Sequence, residues 1–228
     1  MKKLLLCAAS AAALLAANPA LASGSNSTVN QSGAGQSATV DQTGALEGGD
    51  STITQSASNN TADVTQSDDG TGGAPVNVST VTQSGTGNDA TVDQDSEDSF
   101  APNTSTITQL GNDNVASLTQ NDDGQSSSIV QSSSNNQATV TQGVAGSGDS
   151  TWSNTSTVNQ AGTGSQVATV SQTGRLNNSS VDQIGSVGNA DVDQSGDNYD
   201  STVVQCGNND DAFVTQSGNN SASTVTQE

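Results

Sequence analysis

The side chains that could do chemistry in this sequence are mostly amides. Gln31, Gln55, Gln83, Gln109, Gln131, Gln160, Gln183 and Gln205 close one series of short segments. Gln42, Gln66, Gln94, Gln120, Gln142, Gln172, Gln194 and Gln216 close a second, and Gln227 returns to the first. An amide donates through nitrogen and accepts through oxygen, so a column of stacked glutamines can satisfy itself. That is structural chemistry. The chain has no histidine, its lysines are confined to Lys2 and Lys3, and no stretch beyond the N-terminal leader could wall an apolar pocket around a carboxylate. The sequence therefore predicts no enzyme, no catalytic residue, no cofactor and no metal. Cys206 follows an inward glutamine and is expected to face solvent as a spare thiol, with an intermolecular disulfide as the alternative.

The first 22 residues read as a secretory signal peptide. Met1-Lys2-Lys3 is cationic, residues 4–17 are apolar, and Ala20-Leu21-Ala22 is a small-residue cleavage site. The apolar run is too short to span a membrane, and no other run exists, so no transmembrane segment is expected. Cleavage takes the formal charge from −20 to −22 by removing both lysines, and leaves Arg175 as the only basic side chain. Nucleic acid is excluded as a partner on that ground, because phosphate binding needs lysine and arginine.

The remaining residues, 23–228, form one repeat region of eight copies and a C-terminal half-copy. The sentence is Ser-x-Val/Ile-x-Gln, a polar turn, then Ala-x-Val/Leu-x-Gln. Apolar residues make up 29% of the chain, a level typical of disorder, but random linkers do not hold valine, alanine and glutamine in register. Each half alternates with period two, the mark of half-buried strands. Seven of the eight glutamine pairs are 11 residues apart, and the pair Gln160/Gln172 carries one more residue, expected as a bulge or looser turn. Gly85, Gly111, Gly162, Gly185 and Gly207 are expected to relieve tight turns. The longer linkers, 67–78 and 143–155, are expected to loop out, and Phe100, Trp152 and Tyr199 are assigned to linkers.

These features predict an all-β solenoid of stacked strand–turn–strand repeats with amyloid-like cross-β spacing of about 4.8 Å per layer. Val29, Ile53, Val81, Ile107, Ile129, Val158, Val181 and Val203 form one interior column. Val40, Val64, Val92, Leu118, Val140, Val170, Val192 and Val214 form the facing one. Asp41, Asp63, Asp93, Asp182, Asp191 and Asp193 are expected to point outward and to repel across adjacent layers, braking association. No polar capping repeat flanks the region, so both ends are expected to be open strand edges that template another copy.

Asn77, Gln83, Gly85, Asn88, Ala90, Val92 and Gln94, and again Asn103, Gln109, Gly111, Asn114, Ala116, Leu118 and Gln120, fit one longer motif. It runs Asn/Ser-x5-Gln-x-Gly-x2-Asn-x-Ala-x-Val-x-Gln and resembles the curlin repeat of curli subunits. The resemblance covers nearly all of the chain after residue 22. Ala57 and Ser133 depart from it at the turn glycine, and Gln36, Gly188 and Asp210 at the turn asparagine. It implies a self-assembling subunit of a curli-like functional amyloid fibre on the surface of a Gram-negative bacterium, serving adhesion and biofilm matrix. It also implies a nucleator subunit and a curli-type export pore as partners.

Two other functions stay open. One is a monomeric β-solenoid that binds ice through outward threonine pairs such as Thr52/Thr54, Thr80/Thr82, Thr106/Thr108 and Thr224/Thr226, an array interrupted by Asn30, Val130, Asn159, Asp182 and Val204. The other is a calcium-dependent secreted adhesin. Asp68-Asp69-Gly70 and Asp122-Asp123-Gly124 invite that reading but lack a repeated ligand spacing with a bidentate glutamate.

Overall fold

Alternating inward valine, alanine, serine and glutamine along short segments leave the chain one way to bury its apolar face: copy upon copy. The computed structural model describes residues 6–9, 24–45, 48–68, 76–96, 101–143 and 153–228. Among them it contains strands and no helix. The first sheet consists of β1 (Leu6–Ala9), β2 (Asn26–Ala34), β4 (Gly49–Ser58), β6 (Asn77–Gln83), β8 (Thr104–Gln109), β10 (Ser126–Gln131), β12 (Thr155–Gln160), β14 (Asn178–Gln183), β16 (Asp200–Gln205) and β18 (Ala222–Gln227), in that order. The second runs β3 (Ser37–Ala45), β5 (Thr61–Asp68), β7 (Asp89–Ser96), β9 (Val115–Asn121), β11 (Gln137–Gln142), β13 (Gln166–Thr173), β15 (Gly188–Asp197) and β17 (Asp210–Asn219).

Every pairing is parallel, and like residues stack on like. Val81 lies between Ile53 and Ile107, and Val140 lies between Leu118 and Val170. Each strand–turn–strand arc adds one layer to both sheets, which makes the chain a β-solenoid. The two aliphatic columns named above are buried throughout and meet between the sheets, with the alanine column of the second sheet beside them. Burying each valine or isoleucine contributes about 1.5–3 kcal/mol. In β18, which has no second-sheet strand opposite it, Ser223, Val225 and Gln227 are only half-buried. Strand β1 lies within the segment expected to be cleaved and pairs with β2, Leu6 opposite Val29 and Ala8 opposite Gln31.

Several local expectations are revised. The extra residue between Gln160 and Gln172 is absorbed in the turn, because β13 pairs with β11 without a shift. The irregularity falls instead between Asp41 and Gly44, where β3 pairs with β5. Of the turn glycines named from the sequence, only Gly85 has a positive φ, of 102°. At Gly111, Gly162 and Gly185 the reason is crowding: a Cβ would overlap the carbonyl of Ser133, Gly185 or Gly207 in the next layer. Phe100 and Trp152 lie outside the described residues, as does most of the two long linkers. Tyr199 is not a loose linker residue but fully buried.

Ala57 takes the place of a turn glycine at φ 75°, a left-handed conformation costing an L-residue about 1–2 kcal/mol. Its side chain is exposed, so little packing is lost on removing the methyl. Ala57→Gly is expected to raise stability by about 1 kcal/mol, the left-handed strain relieved exceeding the added chain entropy. A denaturant midpoint at or below the wild-type value would contradict this.

Candidate functional site

The 17 sequence-selected glutamines form two axial files, one in each sheet. In the first, Gln31 Nε2 donates to Gln55 Oε1 at 2.7 Å, Gln55 to Gln83 at 2.8 Å, Gln83 to Gln109 at 2.8 Å and Gln109 to Gln131 at 2.9 Å. The file continues through Gln160, Gln183, Gln205 and Gln227 at 2.8–3.0 Å. In the second, Gln42, Gln66, Gln94, Gln120, Gln142, Gln172, Gln194 and Gln216 are joined in the same way at 2.7–3.0 Å. Gln42 and Gln227 are half-buried and the others buried.

The column uses only one of the two amide protons. The other crosses between the sheets: Gln83 Nε2 also donates to the Thr61 carbonyl at 2.8 Å, and Gln120 Nε2 to the Thr104 carbonyl at 3.1 Å. All of these glutamines except Gln31 therefore clamp the end of their strand to the backbone of a strand opposite.

A second amide system lies six residues before most of the glutamines, at the asparagines of the longer motif, and its bonding was not visible in the sequence pattern. At one corner the Asn88 backbone N–H donates to Asn60 Oδ1, that of Asn114 to Asn88 Oδ1 and that of Asn136 to Asn114 Oδ1. Asn88 Nδ2 in turn donates to the Gly111 carbonyl at 2.8 Å, tying its turn to the next. The opposite corner repeats the device through Asn77, Asn103, Gln125, Asn154 and Asn177. Tyr199 follows them, its backbone N–H bonded to Asn177 Oδ1. Burial, and secondarily Asp197, holds the Tyr199 hydroxyl above its ordinary pKa.

The serine column has no such solution. Ser51, Ser79, Ser105, Ser127, Ser156 and Ser179 point inward from the first sheet, buried, and their hydroxyl oxygens have no hydrogen-bond partner. The alanine positions facing inward from the second sheet carry no such group.

The electrostatics are nearly all negative. Arg175 Nη2 meets Asp197 Oδ2 at 3.1 Å across adjacent layers, a half-exposed pair worth at most about 1 kcal/mol. The six outward aspartates do not stack on one another as expected. Asp63 lies between Thr39 and Thr91, Asp93 between Thr65 and Thr119, and Asp191 between Thr169 and Phe213. Asp41, Asp182 and Asp193 likewise have neutral neighbours in register. Repulsion runs on the diagonal and along the strand instead. Partial burial, reinforced by Asp63, raises the pKa of Asp89, and partial burial reinforced by Asp95 raises that of Asp93.

Asp122 and Asp123, named above for the calcium reading, are buried in a tight turn where the Asp123 N–H meets Asp122 Oδ1 at 3.0 Å. No group of three potential metal ligands occurs among the described residues. Nor is any described helix long and apolar enough to cross a membrane. Cys206 is exposed beside the Gln205 file, its backbone N–H bonded to the Gln227 carbonyl. Comparison with protein-family models, curated proteins and solved structures gave no match.

Two substitutions separate bonded from unbonded polar groups. Gln120→Leu orphans Gln142 Oε1 and the Thr104 carbonyl, and takes the column acceptor from Gln94. At about 1–3 kcal/mol per buried group left unmade, a loss of at least about 3 kcal/mol is expected in chemical denaturation. Ser105→Ala removes a hydroxyl that makes no bond and is expected to be neutral or stabilising by up to about 1 kcal/mol. Equal losses for the two variants would contradict the bonding pattern.

The raised carboxyls also set a pH dependence. In the folded state Asp89 and Asp93 bind protons more tightly than in the unfolded chain, where the ordinary value is 3.8. Their charged forms therefore cost stability above the folded pKa, and that cost is relieved as pH falls through it towards the unfolded value. Denaturant midpoints should rise between pH 7 and pH of about 4, and Asp89→Asn/Asp93→Asn should flatten the rise. A midpoint that falls over this interval would count against the assignment.

Proposed function

We propose that this chain is a secreted structural subunit whose activity is assembly into a curli-like functional amyloid fibre for surface adhesion and biofilm matrix. The fibre would lie outside a Gram-negative cell. The curlin resemblance supports that setting, together with a nucleator subunit and a dedicated export pore as partners.

The observation that carries the reading is the polarity of the glutamine files. Within each file every amide but the last donates to the glutamine of the layer that follows it in sequence. At one end Gln31 Oε1 is buried and unpartnered. At the other, Gln227 Nε2 donates to the Asp211 carbonyl, with no glutamine stacked beyond it among the described residues. A second copy placed head to tail in the first sheet would bring donor to acceptor and repeat the spacing already present within the chain. Removal of the segment containing β1 would free the edge of β2 for that contact.

A monomeric ice-binding solenoid is the second reading. It is favoured by the outward column that includes Thr52, Thr80 and Thr106, which carries a hydroxyl in each layer, although Val130, Asp182 and Val204 interrupt the column beside it.

The purified chain lacking residues 1–22, diluted from denaturant, is expected to form fibres that diffract at about 4.8 Å along the axis and about 10 Å between sheets. Gln31→Leu should slow elongation by about tenfold, the equivalent of one lost hydrogen bond per added copy. A folded monomer that persists at high concentration would refute the fibre, and thermal hysteresis from that monomer would establish the ice-binding alternative.

A further inference from the structure

We infer that the outer face of the first sheet is a lateral docking surface for a second copy of this chain, pairing two rods side by side. The inference extends the fibre reading, which it rests on for its full length, and is also testable on the soluble chain.

The two outer faces differ in charge. On the second sheet Asp41, Asp63, Asp89, Asp93, Asp191 and Asp193 are spread over all three outward columns. On the first sheet the central column runs Thr28, Thr52, Thr80, Thr106 and on to Thr202 and Thr224, with serine or threonine in every layer between and no charge. Its acids, Asp50, Asp182 and Asp200, lie in the flanking columns. A chain of formal charge −20 that confines its carboxylates this way keeps one face on which two copies can meet. Depletion of charge at the centre of a patch is one part of the compositional signal of a protein interface.

Size and repeat point to a second copy as the occupant. Nine layers at about 4.8 Å and strands of six residues at about 3.3 Å give a face of about 800 Å², close to what each partner contributes to a stable interface. An identical rod has the same axial repeat, so its threonine column meets this one layer for layer. A sugar polymer would want a stacking ring, and the one outward ring among the strand residues, Phe213, stands on the acidic face beside Asp191.

The test places two carboxylates on the neutral face. Thr106→Asp/Thr157→Asp puts them two layers apart with Ser128 between, the natural spacing of Asp41 and Asp93 across Thr65. Gln137→Asp/Thr141→Asp adds the same charge to the acidic face at positions whose register neighbours are neutral. Mass per unit length of fibres, read by scanning transmission electron microscopy, should fall twofold for the first variant. It should stay at the wild-type value for the second and for Thr106→Val/Thr157→Val.

Wild-type fibres one chain across, equal loss in the acidic-face control, or separation caused by Phe213→Ala would overturn the assignment. If no fibres form, the fibre reading fails, and sedimentation equilibrium decides pairing separately. A wild-type dimer that the carboxylate variant dissociates supports the face, and a wild-type monomer sinks it. Circular dichroism establishes that each variant keeps its strands, and the wild-type result stands even if a variant does not fold.

Discussion

Parallel in-register stacking makes each residue the neighbour of its own counterpart, and the rest of the structure follows from that. Aliphatic residues gain from it, since Val81 packs between Ile53 and Ile107 without a change of shape. Amides gain more, because donor and acceptor lie on the same group and a file of glutamines closes on itself in every interior layer. Carboxylates lose. A stacked pair in adjacent layers would repel at close range in a partly desolvated setting. The chain meets that penalty by spacing its acids, so that Asp41 and Asp93 share a column with Thr65 between them.

The same constraint explains where glycine is needed. Gly111 and Gly185 have ordinary backbone angles, but each turn presses against the carbonyl of the next, and a Cβ would have nowhere to go. The corner asparagines complete the arrangement by taking up backbone groups that the turn leaves outside the ladder. Asn114 accepts from the Asn136 N–H and donates to the Ser133 carbonyl. Strand, turn and corner are thereby bonded to the neighbouring layer. The serine hydroxyls are the exception, and no bond in the structure accounts for their presence in the first sheet alone.

The period-two pattern and the fixed glutamine spacing made the strands, the two aliphatic columns and the solenoid readable from the sequence. What an alternating pattern reports is which side of a strand a residue takes and which residues stack. It does not report how the arc folds over. The cross-sheet bond from Gln83 to Thr61, the corner files of Asn77 and Asn88, and the burial of Tyr199 all depend on the path of the turn. Gly85 has the left-handed angle expected of a tight turn, whereas Gly111, Gly162 and Gly185 are needed for a different reason, because layer-on-layer crowding is invisible to a single copy of the repeat. The acids were placed outward, but their mutual spacing emerges only when the copies are laid in register across linkers of unequal length.

Like-on-like stacking along the axis leaves no natural stopping point, whereas the sides of the rod do supply one. Two rods that meet on the neutral face leave both acidic faces turned to solvent, where Asp63, Asp93 and Asp191 oppose a third. A two-fold arrangement of this kind uses each neutral face once and closes. Charge distribution and axial register then act on different dimensions of the proposed fibre: the amides permit length, and the carboxylates limit width to a pair. The restriction weakens with salt, since exposed charges more than about 10 Å apart are largely screened at ionic strengths near 0.1 M.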